Sequence, residues 1–155
     1  RSIVDTYLEA IDRIDRRGPS INSVLEINPD ARAIADALDK ERREKGPRSP
    51  FHGIPVLLKD NIGTTDKLHT SAGSLALAES FAPKEAFVVE RLRAAGAIIL
   101  GKSNMSEWAN ARGRSSVGGW SGRGGITRNP YALDRSSGGS SSGTAAAVSA
   151  NLATV

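Results

Sequence analysis

Two short apolar runs, each shut in by glycine, limit most strongly what this chain can fold into. Residues 53–63 read GIPVLLKDNIG and residues 96–101 read GAIILG. Ile54, Val56, Leu57 and Leu58 form the first run, and Ala97, Ile98, Ile99 and Leu100 form the second. Neither alternates apolar with polar residues, so each predicts a strand buried on both faces, and the first reads as a central strand. Between them, PKEAFVVERLRAAG (83–96) has helical spacing, with Phe87, Val88, Leu92 and Ala95 expected inward and Gly96 placed to end the helix. Helix, short turn and apolar strand suggest a βαβ unit with a parallel sheet, and the fold class expected is α/β, a mixed sheet flanked by helices.

The flanking segments fit that class. SIVDTYLEAIDRIDRR places Ile3, Val4, Tyr7, Leu8, Ile11 and Ile14 on one helical face, and Gly18-Pro19 stops it. INSVLEIN (21–28) suits a strand or a loop. In the next helix Asn28 can cap, Pro29 suits the first turn and Gly46-Pro47 ends it; its stripe is Ala31, Ile34, Ala35 and Leu38, and its other face is charged. From Gly113 to Gly143, nine of 31 residues are glycine and eight are serine. A flexible linker is one reading of that composition. Trp120, Ile126, Tyr131 and Leu133, which an inert spacer does not need, favour an ordered functional loop region. TAAAVSANLATV then reads as a buried helix of small residues.

At 155 residues the chain has room for one domain. The 21 basic and 17 acidic residues are interspersed, as on solvated helix faces, so no nucleic-acid footprint is expected. No run approaches the ~20 apolar residues of a membrane span, so no membrane partner is expected. The absence of cysteine fits a reducing compartment, and a cytoplasmic location is the expectation, for a chain whose start at Arg1 reads as trimmed.

Two motif matches fail on context. GAIILGKS (96–103) fits the phosphate-loop pattern, but its four middle residues belong in a strand, where the sheet takes up their N–H groups. GSSSG (139–143) fits the nucleophile-elbow pattern around Ser141. That site needs an acid and then a histidine further along, and none of the twelve residues after Gly143 is Asp, Glu or His.

A serine becomes a useful nucleophile only when something takes its proton. The two histidines, His52 and His69, lie far upstream of the serine loop. A lysine can serve instead if burial lowers its pKa from about 10.4 towards 7, at a cost of roughly 4–5 kcal/mol. Lys59 directly follows IPVLL and is the first candidate; Lys102, after AIIL, is the second. Ser140 stands just before a helix start, and Gly138 and Gly139 allow unusual backbone angles before it. Simple capping of that helix is the alternative role for the serines.

GIPVLLKDN, followed some eighty residues later by GGSSSGTAAAVSA, resembles the amidase signature family, and GKSNMSEWAN and GGWSGRGGITRNPYALD strengthen the match. Within it, TSAGS and GWSGRGGITRNPYALD are most similar to bacterial peptide amidases and plant relatives. The resemblance implies an amide hydrolase with a Ser–cis-Ser–Lys triad, needing no metal or cofactor, that acts on a small-molecule or peptide amide. Its lysine falls on Lys59 and its bridging serine, after a cis peptide bond, on Ser140. Ser141, Gly138, Gly139, Asp60 and Asn61 would support them, and Glu107, Trp108 and GWSGRGG would border the site. Ser142 stands where many members have glycine. The family's acylated serine would lie beyond Val155, so residues 1–155 would form the N-terminal part of one amidase domain whose sheet is incomplete at the C-terminal end. That part divides into a helical lead-in (1–50), a strand-helix-strand unit with Lys59 (51–112), and a Gly/Ser-rich loop with a buried helix (113–155). The remainder of the amidase chain would then be its partner. The alternatives are a catalytically silent fragment, or a member of the same family that serves as one subunit of an amidotransferase.

Overall fold

The computed structural model describes residues 1–111, 113, 115 and 117–155, so the segment boundary drawn at residue 112 lies outside the described residues. Helix α1 (Ser2–Ala10) runs into a π-helical segment, Ile11–Arg17. Strand β1 (Val24–Ile27) and helix α2 (Ala31–Lys45) follow, then β2 (Pro55–Lys59), α3 (Phe87–Ala94) and β3 (Ile98–Ser103). Short strands β4 (Trp120–Ser121), β5 (Gly125–Ile126), β6 (Arg128–Asn129) and β7 (Ala132–Ser136) lead to α4 (Ser142–Ser149).

The main sheet is mixed, in the order β1-β3-β2. β2 and β3 are parallel across the α3 crossover, and β1 is antiparallel to β3. The βαβ expectation holds, but the central strand is β3, buried along its whole length, and not β2. The apolar run of β2 is buried all the same because both faces are covered. Val56 and Leu58 pack with Leu68, Val89 and Ile99. Leu57 packs with Val4, Leu38, Ile98, Leu100 and Ala147 on the other side. At the outer edge of β2, Leu57 N donates to Val155 O at 3.0 Å. Residues 1–50 are therefore more than helical, since β1 supplies a strand.

Several apolar side chains face other ways than their spacing predicts. In α3 the buried residue is Val89, while Phe87 is 75% and Val88 50% exposed. The helix begins at Phe87, and its inward face is that of Val89 and Leu92, three apart. Ile3 is exposed at the start of α1. α4 buries Ala146 and Ala147 but exposes Ala145 and Val148, so one face of it is covered, not all. Between β3 and α4 the chain forms two small ribbons, β4–β5 and β6–β7. Tyr131, Leu133 and Ile126 lie on their exposed side, so hydrogen bonding and not an apolar core orders them. Ser137 Oγ donates to Thr127 O, Thr127 N donates to Gly119 O, and Arg128 N donates to Ile21 O.

Candidate active site

Lys59 ends β2, in register with Ser103 of β3. Its side chain crosses to the start of α4, where Nζ lies 2.7 Å from Ser140 Oγ and 3.0 Å from Ser141 Oγ. Lys59 is half-buried, and that burial lowers its pKa below the ordinary lysine value. Among the described residues no carboxylate pairs with it to oppose the shift. Ser141 occupies the N-cap position of α4 without a side-chain capping bond, so both serine hydroxyls are turned to the lysine instead of the helix.

The glycines before the serines act differently from each other. Gly138 has φ +75°, in the left-handed region. Gly139 allows a close approach: a Cβ there would meet Ser106 Oγ at 2.3 Å. Ser106 N donates to Ser140 O at 3.0 Å, and Gly119 N donates to Ser106 Oγ at 2.9 Å. The Gly139–Ser140 peptide bond is cis. At the base of the loop Ser103 Oγ and Thr144 Oγ1 are 2.7 Å apart, and Gly143 N donates to Asn104 O at 2.9 Å. The Ser142 hydroxyl is buried without a hydrogen-bond partner among the described residues.

Asp60 turns away from the serines. It is fully buried and accepts from Ser71 Oγ, from Gly73 N at 2.8 Å and from Arg123 Nη1 at 3.1 Å. Arg123 Nη2 donates to Glu26 Oε2 at 2.6 Å, and Glu26 Oε1 lies 2.9 Å from His69 Nδ1. A partly buried polar chain thus runs from the Lys59 strand to the glycine-rich segment and back to β1. Sequence reasoning reached Arg123 only as part of the GWSGRGG stretch, without a role, and missed Glu26, Ser71 and Ser106. For Arg123 a signal exists, a lone arginine among the glycines of SGRGG; for the others nothing in the sequence pairs them with Asp60 or Gly139. Asn61 is exposed, and Glu107 Oε2 accepts from Gly122 N at 2.7 Å, which joins GKSNMSEWAN to GWSGRGG.

The second candidate base, Lys102, is the more deeply buried. It is 0% exposed, and burial lowers its pKa to about 8. Its Nζ donates to Ile62 O at 2.6 Å and Thr70 Oγ1 at 3.0 Å, on the opposite side of the sheet from the serines. The pKa alone singles out Lys102; contact with the serines singles out Lys59. The histidines are engaged elsewhere, His52 with Leu38 O and Arg48 N, and His69 with Glu26. Residues 98–103 of the phosphate-loop match form β3, so their backbone serves the sheet.

The profile of the family described as "Amidase" matches residues 4–155. A probable amidase of Arabidopsis thaliana is 49% identical over 157 residues, covering 100% of this chain and 30% of that protein. The native peptide amidase of Stenotrophomonas maltophilia superimposes with a TM-score of 0.94 at 55% identity, covering 98% of this chain and 31% of that one. A glutamyl-tRNA(Gln) amidotransferase subunit of Halorhodospira halophila is 43% identical over 154 residues, covering 99% of this chain and 30% of that protein. The chain therefore spans about 30% of the length of these relatives.

Proposed function

The chain belongs to the amidase family, and we propose that it carries the base and the bridging serine of an amide-hydrolysing, acyl-transfer site. The observation behind this is the 2.7 Å approach of Lys59 Nζ to Ser140 Oγ. With the amine neutral, the Ser140 hydroxyl donates to Nζ and its oxygen is free to accept a proton from a further serine. That serine attacks the amide carbonyl, and its proton passes through Ser140 to Lys59. The proton then returns to the leaving amine as the C–N bond breaks. Water deacylates the enzyme over the same path, losing its proton to the relay and restoring the serine.

Partial burial of Lys59 supports its role as base, because it raises the neutral fraction at a given pH. Ser141 serves as a second hydrogen-bonding partner for the amine, Gly138 and Gly139 shape the turn, and Asp60 holds the end of β2. In this reading the acylated serine belongs to the length of the relatives that this chain does not match, and residues 1–155 alone are inactive. The substrate class is a linear carboxylic amide, including peptide amides.

The test is Lys59→Ala in the protein at the length of its relatives. General-base catalysis typically contributes about 10²- to 10⁴-fold, and kcat/KM is expected to fall by at least that at neutral pH. Full activity in Lys59→Ala would refute the assignment.

A further inference from the structure

Helix α4 has Ser141 at its N-cap position, directly after Ser140, yet its apolar packing does little to fix where it starts. Its buried face is Ala146 and Ala147, and its other face exposes Ala145 and Val148. Burial of methyl groups is non-directional, so small side chains let a helix shift along its axis at low cost. Directed bonds in the first turn hold it instead. Gly143 N donates to Asn104 O at 2.9 Å. The backbones are so close there that a Cβ on Gly143 would collide with Asn104 N, Asn104 O and Ser23 O. One residue on, Thr144 Oγ1 lies 2.7 Å from Ser103 Oγ.

Ser103 also grips the strand on both sides of the lysine. It is fully buried at the end of β3, in register with Lys59 of β2. Its Oγ donates to Leu58 O over a long 3.4 Å, and its main-chain O accepts from Asp60 N at 3.2 Å. With its own proton directed to Leu58 O, the Ser103 oxygen accepts from the Thr144 hydroxyl. A line of bonds thus runs from the residues flanking Lys59, through Ser103 and Thr144, to the helix turn that Ser141 begins. Removing the Thr144 hydroxyl leaves the buried Ser103 oxygen without that donor, and such a loss is expensive where water does not reach.

We propose that Ser103 and Thr144 are a positioning pair, which sets the distance between the Lys59 amine and the Ser140 hydroxyl. The inference rests on the hydrolase reading and adds to it the groups that align its relay. The test uses the protein at the length of its relatives. Thr144→Val keeps the shape and removes the hydroxyl, Thr144→Ser keeps the hydroxyl, and Ser103→Ala removes its partner. The Gly143–Asn104 bond remains in each to dock the helix. A misplacement of about 1 Å costs on the order of 100-fold, so Thr144→Val and Ser103→Ala should each lower kcat about 10- to 100-fold with KM unchanged. The double variant should lose no more than the worse single one, as for groups that act as a unit. Thr144→Ser should keep most of the activity. Position is read apart from turnover by titrating ¹³C-labelled lysine. In Thr144→Val the Lys59 signal should move in the same direction as in Ser140→Ala, while that of Lys102, across the sheet, stays in place. Unchanged kcat in both single variants, equal losses in Thr144→Val and Thr144→Ser, or fully additive losses would overturn the inference. So would a Lys59 signal that ignores Thr144→Val, or a Lys102 signal that moves with it. The titration needs no turnover, so it upholds or removes the pair whatever Lys59→Ala does. Full activity in Lys59→Ala removes the hydrolase reading alone.

Discussion

Removing the Asp60 carboxylate should destabilise the protein strongly, although the side chain makes no hydrogen bond to Ser140 or Ser141. Asp60→Ala leaves three donors without their acceptor: Ser71 Oγ, Gly73 N and Arg123 Nη1. Asp60 is 0% exposed and the Arg123 side chain only 15%, so water cannot readily replace the lost contacts. Removing one partner of a buried ion pair costs about 3–5 kcal/mol. Arg123 keeps Glu26 at 2.6 Å, which favours the lower end of that range. The Gly73 amide, left unmet, adds about 1 kcal/mol, while the Ser71 hydroxyl can rotate to another acceptor. The expected loss is about 3–4 kcal/mol, or roughly 10 °C in Tm for a domain of this size. Urea unfolding by linear extrapolation measures it. A double-mutant cycle with Arg123→Met should return a coupling of about 1.5–3 kcal/mol, because the second substitution removes the stranded cation. A loss below about 1 kcal/mol, or strictly additive single effects, would refute the reasoning that this carboxylate anchors the end of β2.

Gly139→Ala places a methyl group 2.3 Å from Ser106 Oγ and should cost about 1–3 kcal/mol by overpacking. Ser106→Ala in the same chain, which removes that oxygen, should recover part of the loss in thermal unfolding. Lys102 gives a pH signature. Its pKa is about 8 in the folded protein, lowered by burial, against about 10.4 in the unfolded chain. Between these values the unfolded chain holds a proton that the folded chain has lost, so stability rises with pH across the window, by up to roughly 3 kcal/mol. Urea midpoints at pH 7.5 and 10.5 should show the rise, and Lys102→Met should flatten most of it.

The sheet is legible in the sequence because burial on both faces leaves an unbroken apolar run, and IPVLL and AIIL each form a strand. The same signal misplaces the central strand, because burial reports covering and not hydrogen-bonded neighbours: β2 is covered on both faces at the edge of the main sheet. Phe87 and Val88 are misplaced because the spacing admits more than one apolar face, and the face packed into the core is that of Val89 and Leu92, three apart. The Lys59–Ser140 contact spans 81 positions, and no periodicity in the sequence measures such a distance. Its components are legible one at a time, a lysine at the end of a buried strand and a serine at the start of a helix. The linked pair of motifs, and not composition, joins them. The Asp60–Arg123–Glu26 chain is invisible for the same reason, with its members 63 and 97 positions apart.

The central claim is that Lys59 can be neutral beside Ser140. The most direct measurement is the titration of ¹³C-labelled lysine side chains by NMR, with the Lys59 and Lys102 signals assigned from Lys59→Arg and Lys102→Met. The Lys59 signal should titrate below the ordinary lysine value, as burial dictates, and should move in Ser140→Ala, which removes its nearest partner. A Lys59 signal titrating at or above the ordinary value, and indifferent to Ser140, would mean a permanently charged group that cannot take a proton, and would contradict the account.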